Sequence, residues 1–239
     1  MTILAIDSTT EACSVALIDG SQVQSLYELA PREHSQRLLP MVDQLLTQAN
    51  ISLADLEAIA FARGPGSFTG LRICVGLVQG LAFGADLPVI AVSSLAALAQ
   101  TAVDEGLATE QQIIASAIDA RMDEIYWQCF RQQNGLVLAI DETSSEQLNT
   151  PEQLILPNPA IVVDNSMAAD MVAVGTGWQY AERVPSQPFT IADAMLLPKA
   201  SAVARLAQRD WQQGASIPAD QAAPSYVRNE VAWKKISEQ

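Results

Sequence analysis

The chain has 239 residues, enough for one large domain or two of ordinary size, with 49% hydrophobic and 17% charged residues. Such a composition can build a core and excludes disorder, and with aromatics at only 5% beside abundant Ala, Leu, Val and Ile it favours helices on sheets over an all-β sandwich. The formal charge of −14, from 27 acidic and 13 basic residues, repels phosphate backbones and argues against independent binding of nucleic acid. Either a partner supplies the basic surface for any RNA chemistry, or the acidity serves solubility alone.

Ile3 to Asp7 is a short apolar run ending in an acid and the hydroxyls Ser8, Thr9 and Thr10. It predicts a strand, followed by strands at Cys13–Asp19 and Val23–Leu29 around the turn signal Asp19-Gly20. After Pro31 an amphipathic helix spans His34–Ala49, with Leu38, Val42, Leu45, Leu46 and Ala49 on one side. Leu39 and Met41 widen its apolar surface and suggest two covered faces. Ser52 caps a short turn, and Glu57–Ala62 reads as a buried strand leading into a glycine-rich loop that ends at Gly70. A helix over Phe68–Phe83, a strand over Pro88–Val92 and a helix from Ser93 or Ser94 to Val103 complete the first half. The polar stretch Asp104–Gln112 is the best boundary, giving domains at residues 1–106 and 107–239.

In the second half, Ile113–Ile118, Glu124–Arg131 and Gly135–Ile140 read as strands, with shorter ones at Ile161–Asp164 and Met171–Val174. Gly175-Thr-Gly177 then leads into a helix. Asp193–Trp211 reads as a long helix bent or broken at Pro198, and Tyr226 and Trp233 as anchors of a polar tail that packs back on the first half. No repeat of fixed period is visible.

The residues that could carry chemistry are few. Gly64, Gly66, Ser67 and Gly70 precede a helix, as in phosphate-binding loops, but the lysine of a P-loop is missing and the third glycine falls one residue late for G-x-G-x-x-G. A close turn between strand and helix needs the same glycines. Asp7, with Ser8 and Thr9, could approach a metal–phosphate group or cap its own turn. Gly76, Gly80 and Gly84 recur every four residues within a helix, where each costs roughly 1 kcal/mol relative to alanine. Such a stripe makes sense where another backbone comes close, across a subunit interface or against an internal sheet. The one histidine, His34, excludes two-histidine zinc sites, and no G-x-S-x-G elbow accompanies it. A solvated or capping role suits it best. Cys13, Cys74 and Cys129 are too dispersed for a disulfide framework and read as buried hydrophobes in a reducing compartment. The first residues lack a basic signal region, and Val75–Val92 is interrupted by Gln79, Asp86 and Pro88, so a cytoplasmic, non-membrane protein is expected.

The strings ILAIDSTTEACSVAL, REHSQRLLPMVDQLL, FARGPGSFTGLRICVGLVQGLAFG and PVIAVSSLAALA, with PSYVRNEVAWKK near the end, resemble the TsaB (YeaZ) family in order and spacing. The resemblance is dense over the first hundred residues, sparse in the middle, and returns at the tail. It implies an α/β fold of two actin-like (ribonuclease H-like) subdomains. It further implies a non-catalytic subunit in the formation of N6-threonylcarbamoyladenosine beside the anticodon of tRNAs that read ANN codons. Family members pair with the metal-bearing transferase TsaD, or with a second copy of themselves, and the ATPase TsaE joins the complex; tRNA is met only through it. By this resemblance the partner interface falls on His34, Arg37, Leu38, Met41, Leu45, Arg72, Gly76, Gly80 and Gly84. Asp7, Ser8, Thr9, Gly64, Gly66 and Ser67 take the nucleotide-proximal positions. Asp7 to Thr10 lacks the glycine of ATP-hydrolysing actin-like proteins, so no cofactor of its own is expected, and ATP or ADP is allowed only at the complex interface. An actin-like small-molecule kinase and a glycoprotease-type peptidase are the alternatives.

Overall fold

The structure is a computed structural model and describes residues 1–140, 145–157, 170–185 and 189–228. The first half opens with an antiparallel meander of β1 (Thr2–Asp7), β2 (Ala12–Asp19) and β3 (Gln22–Leu29), turning between β2 and β3 on Gly20 at φ +59°. Helix α1 (His34–Ala49) follows and ends on Asn50 in the left-handed conformation. Next come β4 (Ala58–Gly64), α2 (Phe68–Ala85), β5 (Val89–Ser93) and α3 (Ser94–Asp104). The sheet order is β3-β2-β1-β4-β5, with β4 parallel to both β1 and β5.

The second half repeats this plan. β6 (Ile113–Asp119), β7 (Ile125–Gln133) and β8 (Leu136–Ala139) form an antiparallel meander, and β9 (Gln147–Asn149) adds to β7. β10 (Met171–Val174) lies parallel to β6, and β11 (Phe189–Asp193) parallel to β10. The order β11-β10-β6-β7-β8 is the first sheet's order read from the other edge. Two copies of one mixed sheet, each with flanking helices, constitute an actin-like fold.

Strand alternation gives the first sheet two unlike faces. Leu4, Ile6, Val15, Leu17, Ile59 and Phe61 turn outward under α1 and α2. The inward face is smaller, carrying Ala5, Ala16, Ala58, Ala60 and Ala62 beside Ile3, Ile18 and Val92. Against this shallow face lies α4 (Ala200–Gln212), whose Ala200, Val203, Ala204, Leu206 and Ala207 are fully buried. α3 packs beside α4 but mainly against the second sheet, on β6, β7 and β8. Each half therefore sends its last helix to the other's sheet, and a single apolar cluster runs through both. Buried polar groups pin this layer. Gln100 on α3 donates to Gly135 O (2.9 Å) and accepts from Val137 N (3.0 Å), Ser116 Oγ donates to Leu95 O (2.8 Å), and Ser14 Oγ accepts from Ala200 N (2.9 Å).

The structure departs from the sequence reading in the second half. Residues 189–193 are a strand and the helix begins only at Ala200. Pro198 disfavours helical backbone at the residue before it, and Asp193 Oδ1 accepts from Met195 N (2.7 Å) to form a turn. The helix expected after Gly177 is a 3-10 segment, Thr176–Arg183. Helix α4, counted with the second domain by sequence, packs on the first sheet, and Ile217 pairs with Val89 at that sheet's edge. The expected strand at Ile161–Asp164 and the Trp233 anchor lie outside the described residues.

A shared core ties the halves thermodynamically. All four tryptophans, at 127, 178, 211 and 233, lie after the first half. We expect urea unfolding followed by their fluorescence to coincide with unfolding followed by circular dichroism. Leu206→Ala should lower both midpoints together, at a cost of about 3 kcal/mol. Separate transitions would show two independent cores.

Candidate functional site

Asp7, Ser8, Thr9, Gly64, Gly66 and Ser67 are brought together at the carboxyl ends of the adjacent parallel strands β1 and β4. The turn after β1 closes on itself, because Asp7 Oδ1 accepts from both Thr9 N and Thr9 Oγ1, each at 2.7 Å. The glycine loop then presses main chain against this turn. Ser67 N donates to Thr9 O (2.7 Å) and Ser8 Oγ donates to Gly70 O (3.0 Å). A Cβ on Gly66 would stand 2.3 Å from Thr9 O, and one on Gly70 only 2.0 Å from Ser8 O. Of the two uses the sequence left open for these glycines, the geometry displays the close turn. Main chain fills the space between loop and turn, and Ser67 caps α2 by accepting from Gly70 N (3.3 Å).

Asp7 is the electrostatic outlier of this cluster. It is buried, and Oδ2 has no hydrogen-bond partner among the described residues. Burial pushes its pKa up from 3.8 to about 6, against the opposing effect of the two Thr9 hydrogen bonds.

The residues expected at an interface separate into two groups. Leu38, Met41 and Leu45 are buried in the chain's own core beneath α1, at 1–3% exposure, because they share the helix face that covers the sheet. They correct the expectation of a two-faced helix, since outside this face only Leu39 is a large apolar residue left exposed on α1 (51%). Arg37 is exposed and bonded to Glu28 through Nε at 2.8 Å. His34 is buried rather than solvated, and its Nε2 donates to Thr10 O (2.9 Å), fastening the start of α1 to the β1–β2 turn.

On α2 the glycine stripe is open. Gly76, Gly80 and Gly84 are exposed, and a Cβ on any of them would meet nothing within 4 Å among the described residues. The internal alternative, close packing against the sheet, falls to the opposite face through Leu71, Cys74, Val75, Val78 and Ala82. Phe83, 82% exposed, stands three residues from Gly80 on the open side. At the helix start the Arg72 guanidinium stacks 3.4 Å from the Phe68 ring centroid, with Tyr226 completing the cluster at 5.7 Å from Phe68. Among the described residues α2 is the one helix long and apolar enough to cross a membrane, yet a third of it is buried against the sheet. The sequence did not single out Phe68 and Phe83 as exposed, and it gave Leu39 to a second covered face and Tyr226 to an anchor of the tail. For Phe83 the signal was present, as its spacing from Gly80 places it on the same side.

The raised Asp7 pKa has a definite sign. Protonation is favoured in the folded state, so this contribution to stability is complete below pH 3.8 and is lost as pH rises through about 6. Asp7→Asn should therefore stabilise the protein by roughly 1–3 kcal/mol at pH 8 and change little at pH 4. Urea melts at the two pH values check this, and equal effects at both would refute it.

The family model of TsaD, tRNA N6-adenosine threonylcarbamoyltransferase, matches residues 26–236. The chain is 42% identical over 238 residues to the tRNA threonylcarbamoyladenosine biosynthesis protein TsaB of Escherichia coli (strain K12), covering 99% of this chain and 98% of the relative. The Haemophilus influenzae protein of the same name is 43% identical, at 99% and 97% coverage. The solved structure of YeaZ from Pseudomonas aeruginosa superposes with a TM-score of 0.84 at 48% identity, covering 94% of this chain and 99% of that one. A second structure, at 48% identity and a TM-score of 0.85, is described as similar to peptidase YEAZ from Pseudomonas aeruginosa. With near-complete coverage in both sequence and structure, the chain belongs to the TsaB (YeaZ) family, within the wider group that the TsaD model describes.

Proposed function

We propose that the chain is a non-catalytic subunit required to form N6-threonylcarbamoyladenosine beside the anticodon of tRNAs that read ANN codons. In this reading it binds and activates the transferase TsaD and helps to dock the ATPase TsaE. The observation that carries it is the open stripe of Gly76, Gly80 and Gly84 on α2, flanked by the exposed Phe83. A helix that forgoes about 1 kcal/mol at each glycine and leaves an aromatic ring in water is suited to receive another backbone at close range. Membership of the family supports TsaD as that backbone's owner, and a second copy of the chain could use the same face. The net charge of −14 supports leaving tRNA contact to the partner.

The chain's own nucleophiles and bases support a non-catalytic role over the peptidase alternative. The sole histidine is committed to a main-chain carbonyl. All three cysteines are buried, and burial raises each thiol, Cys13 to about 11 and Cys129 to about 12, away from the thiolate form. The packed turn at Asp7 to Thr9 likewise supports a reading in which ATP or ADP sits at the complex interface rather than in this chain. An actin-like kinase would need that space for phosphate.

Reconstitution of tRNA threonylcarbamoylation tests the proposal, using TsaD, TsaE, the donor synthase, ATP, bicarbonate and threonine, with and without this protein. Product should form only in its presence, and equal product in its absence refutes the subunit role. Gly80→Leu should keep the thermal midpoint of the parent yet abolish co-purification with TsaD, whereas normal co-purification removes the stripe from the interface. His34→Ala should still support modification while costing about 1–2 kcal/mol of stability through the orphaned Thr10 carbonyl. Loss of modification in the folded variant would reveal a catalytic role for the imidazole.

A further inference from the structure

The two halves face each other at the carboxyl ends of β1 and β6, and two ion pairs cross this seam among the described residues. Arg121 meets Glu11 at 3.2 Å, with both side chains largely exposed (73% and 65%). Arg63 meets Glu146 at 2.9 Å in a less exposed pair (32% and 9%). A third connection is made by the chain itself. After pairing with Val89 through Ile217, the tail gives Ala222 O to Gln79 Nε2 on α2 (2.9 Å), and Ser225 N donates to Arg63 O (2.7 Å). Three residues later it is fastened to the other half. The Arg228 guanidinium donates to Ala120 O (3.1 Å) and Arg121 O (3.4 Å) and pairs with the carboxylate of Glu124.

Both landing sites carry local features that match this crossing. Gly64 has φ +111°, and any Cβ there would stand 2.8 Å from Ser225 O, so a side chain would push the tail away. On the far side Arg121, Met122 and Asp123 hold φ values of +61°, +57° and +60°, three consecutive non-glycine residues in a conformation that L-residues disfavour. This turn is closed by hydrogen bonds from Ala120 N to Glu124 O (2.9 Å) and from Glu124 N to Arg121 O (3.2 Å). It presents two carbonyls and one carboxylate to a single guanidinium. An Arg with several donors in a fixed fork suits such a target, and a Lys would not span it equally well. Tyr226, between the two anchors, rests beside Phe68, and Val227 packs against the cluster shared by the two halves.

We propose that residues 222–228 are an interdomain latch, fixed to the first half at Ala222 and Ser225 and to the second at Arg228, which holds the seam shut at the carboxyl ends of the strands. The latch adds to the exchanged helices α3 and α4 in holding the two halves together. Its existence does not depend on which partner the α2 face receives.

The test is hydrogen exchange on the full chain, with spin labels at Gln48→Cys and Gln133→Cys reporting the distance between the halves. In Arg228→Gln the amides of Ala120, Glu124 and Ser225 should exchange at least tenfold faster (an order-of-magnitude expectation for releasing a local closure). Amides within α1 and β2 should keep their protection, and the distance distribution should broaden. Unchanged exchange at those amides and an unchanged distribution in the folded variant would overturn the latch. Should Arg228→Gln fail to fold, the parent protein decides. Under the latch, the Ser225 and Glu124 amides open together at one rate, and unrelated rates would overturn it.

Discussion

Everything else in this molecule depends on the exchange of two alanine-rich helices between two sheets. α3 leaves the first sheet and lies against the second, while α4 returns from the end of the second half to cover the first. Ala5, Ala16, Ala58, Ala60 and Ala62 on the sheet face Ala200, Ala204 and Ala207 on the helix, so the layers approach closely and leave little room for side-chain disorder. Because the cover of each half is supplied by the other's last helix, neither half buries its inner face alone. The constraint fixes how the sheets sit and hence where the ends of β1, β4 and β6 meet.

At that meeting point the chain uses its glycines for opposite purposes. Gly66 and Gly70 are small because main chain lies against them, with Thr9 O and Ser8 O where their side chains would begin. Gly76, Gly80 and Gly84, on the helix that follows, have no atom of the described residues within 4 Å of where a side chain would begin. The first pair makes α2 rigid by fastening its start to the β1–β2 turn, and the second set leaves its outer face flat. A rigid helix with a flat, aromatic-flanked face is what an association surface requires, since little order is lost on docking. The same fastening packs main chain into the space between the loop and the turn.

The electrostatics follow the same division. His34, the one histidine, is spent on a carbonyl, and the three thiols are held in their neutral form by burial. Asp7 keeps a buried carboxylate oxygen without a hydrogen-bond partner among the described residues, and burial raises its pKa. The arginines that matter to the tertiary structure, Arg63, Arg121 and Arg228, lie along the seam between the halves. A strongly acidic chain thus concentrates several of its few cations on holding itself together.

The sequence by itself determined the first half almost completely. Short apolar runs set β1, β2 and β4, the 3.6-residue pattern set α1, and Asp19-Gly20 set the first hairpin, because each signal is local and its burial lies across a few neighbouring elements. It also determined the family, through strings whose spacing survives in order. What it could not show was non-local. β11 hides in five residues whose strand character comes only from pairing with β10, and the start of α4 at Ala200 depends on a break before it that periodicity ignores. The sheet order that repeats in the second half leaves no repeat in the sequence, since topology constrains which strands are neighbours and not which apolar residue each position carries. Only the tertiary structure decided that Leu38, Met41 and Leu45 face inward while the glycine stripe faces out, because helical spacing fixes which residues share a face but not what that face meets.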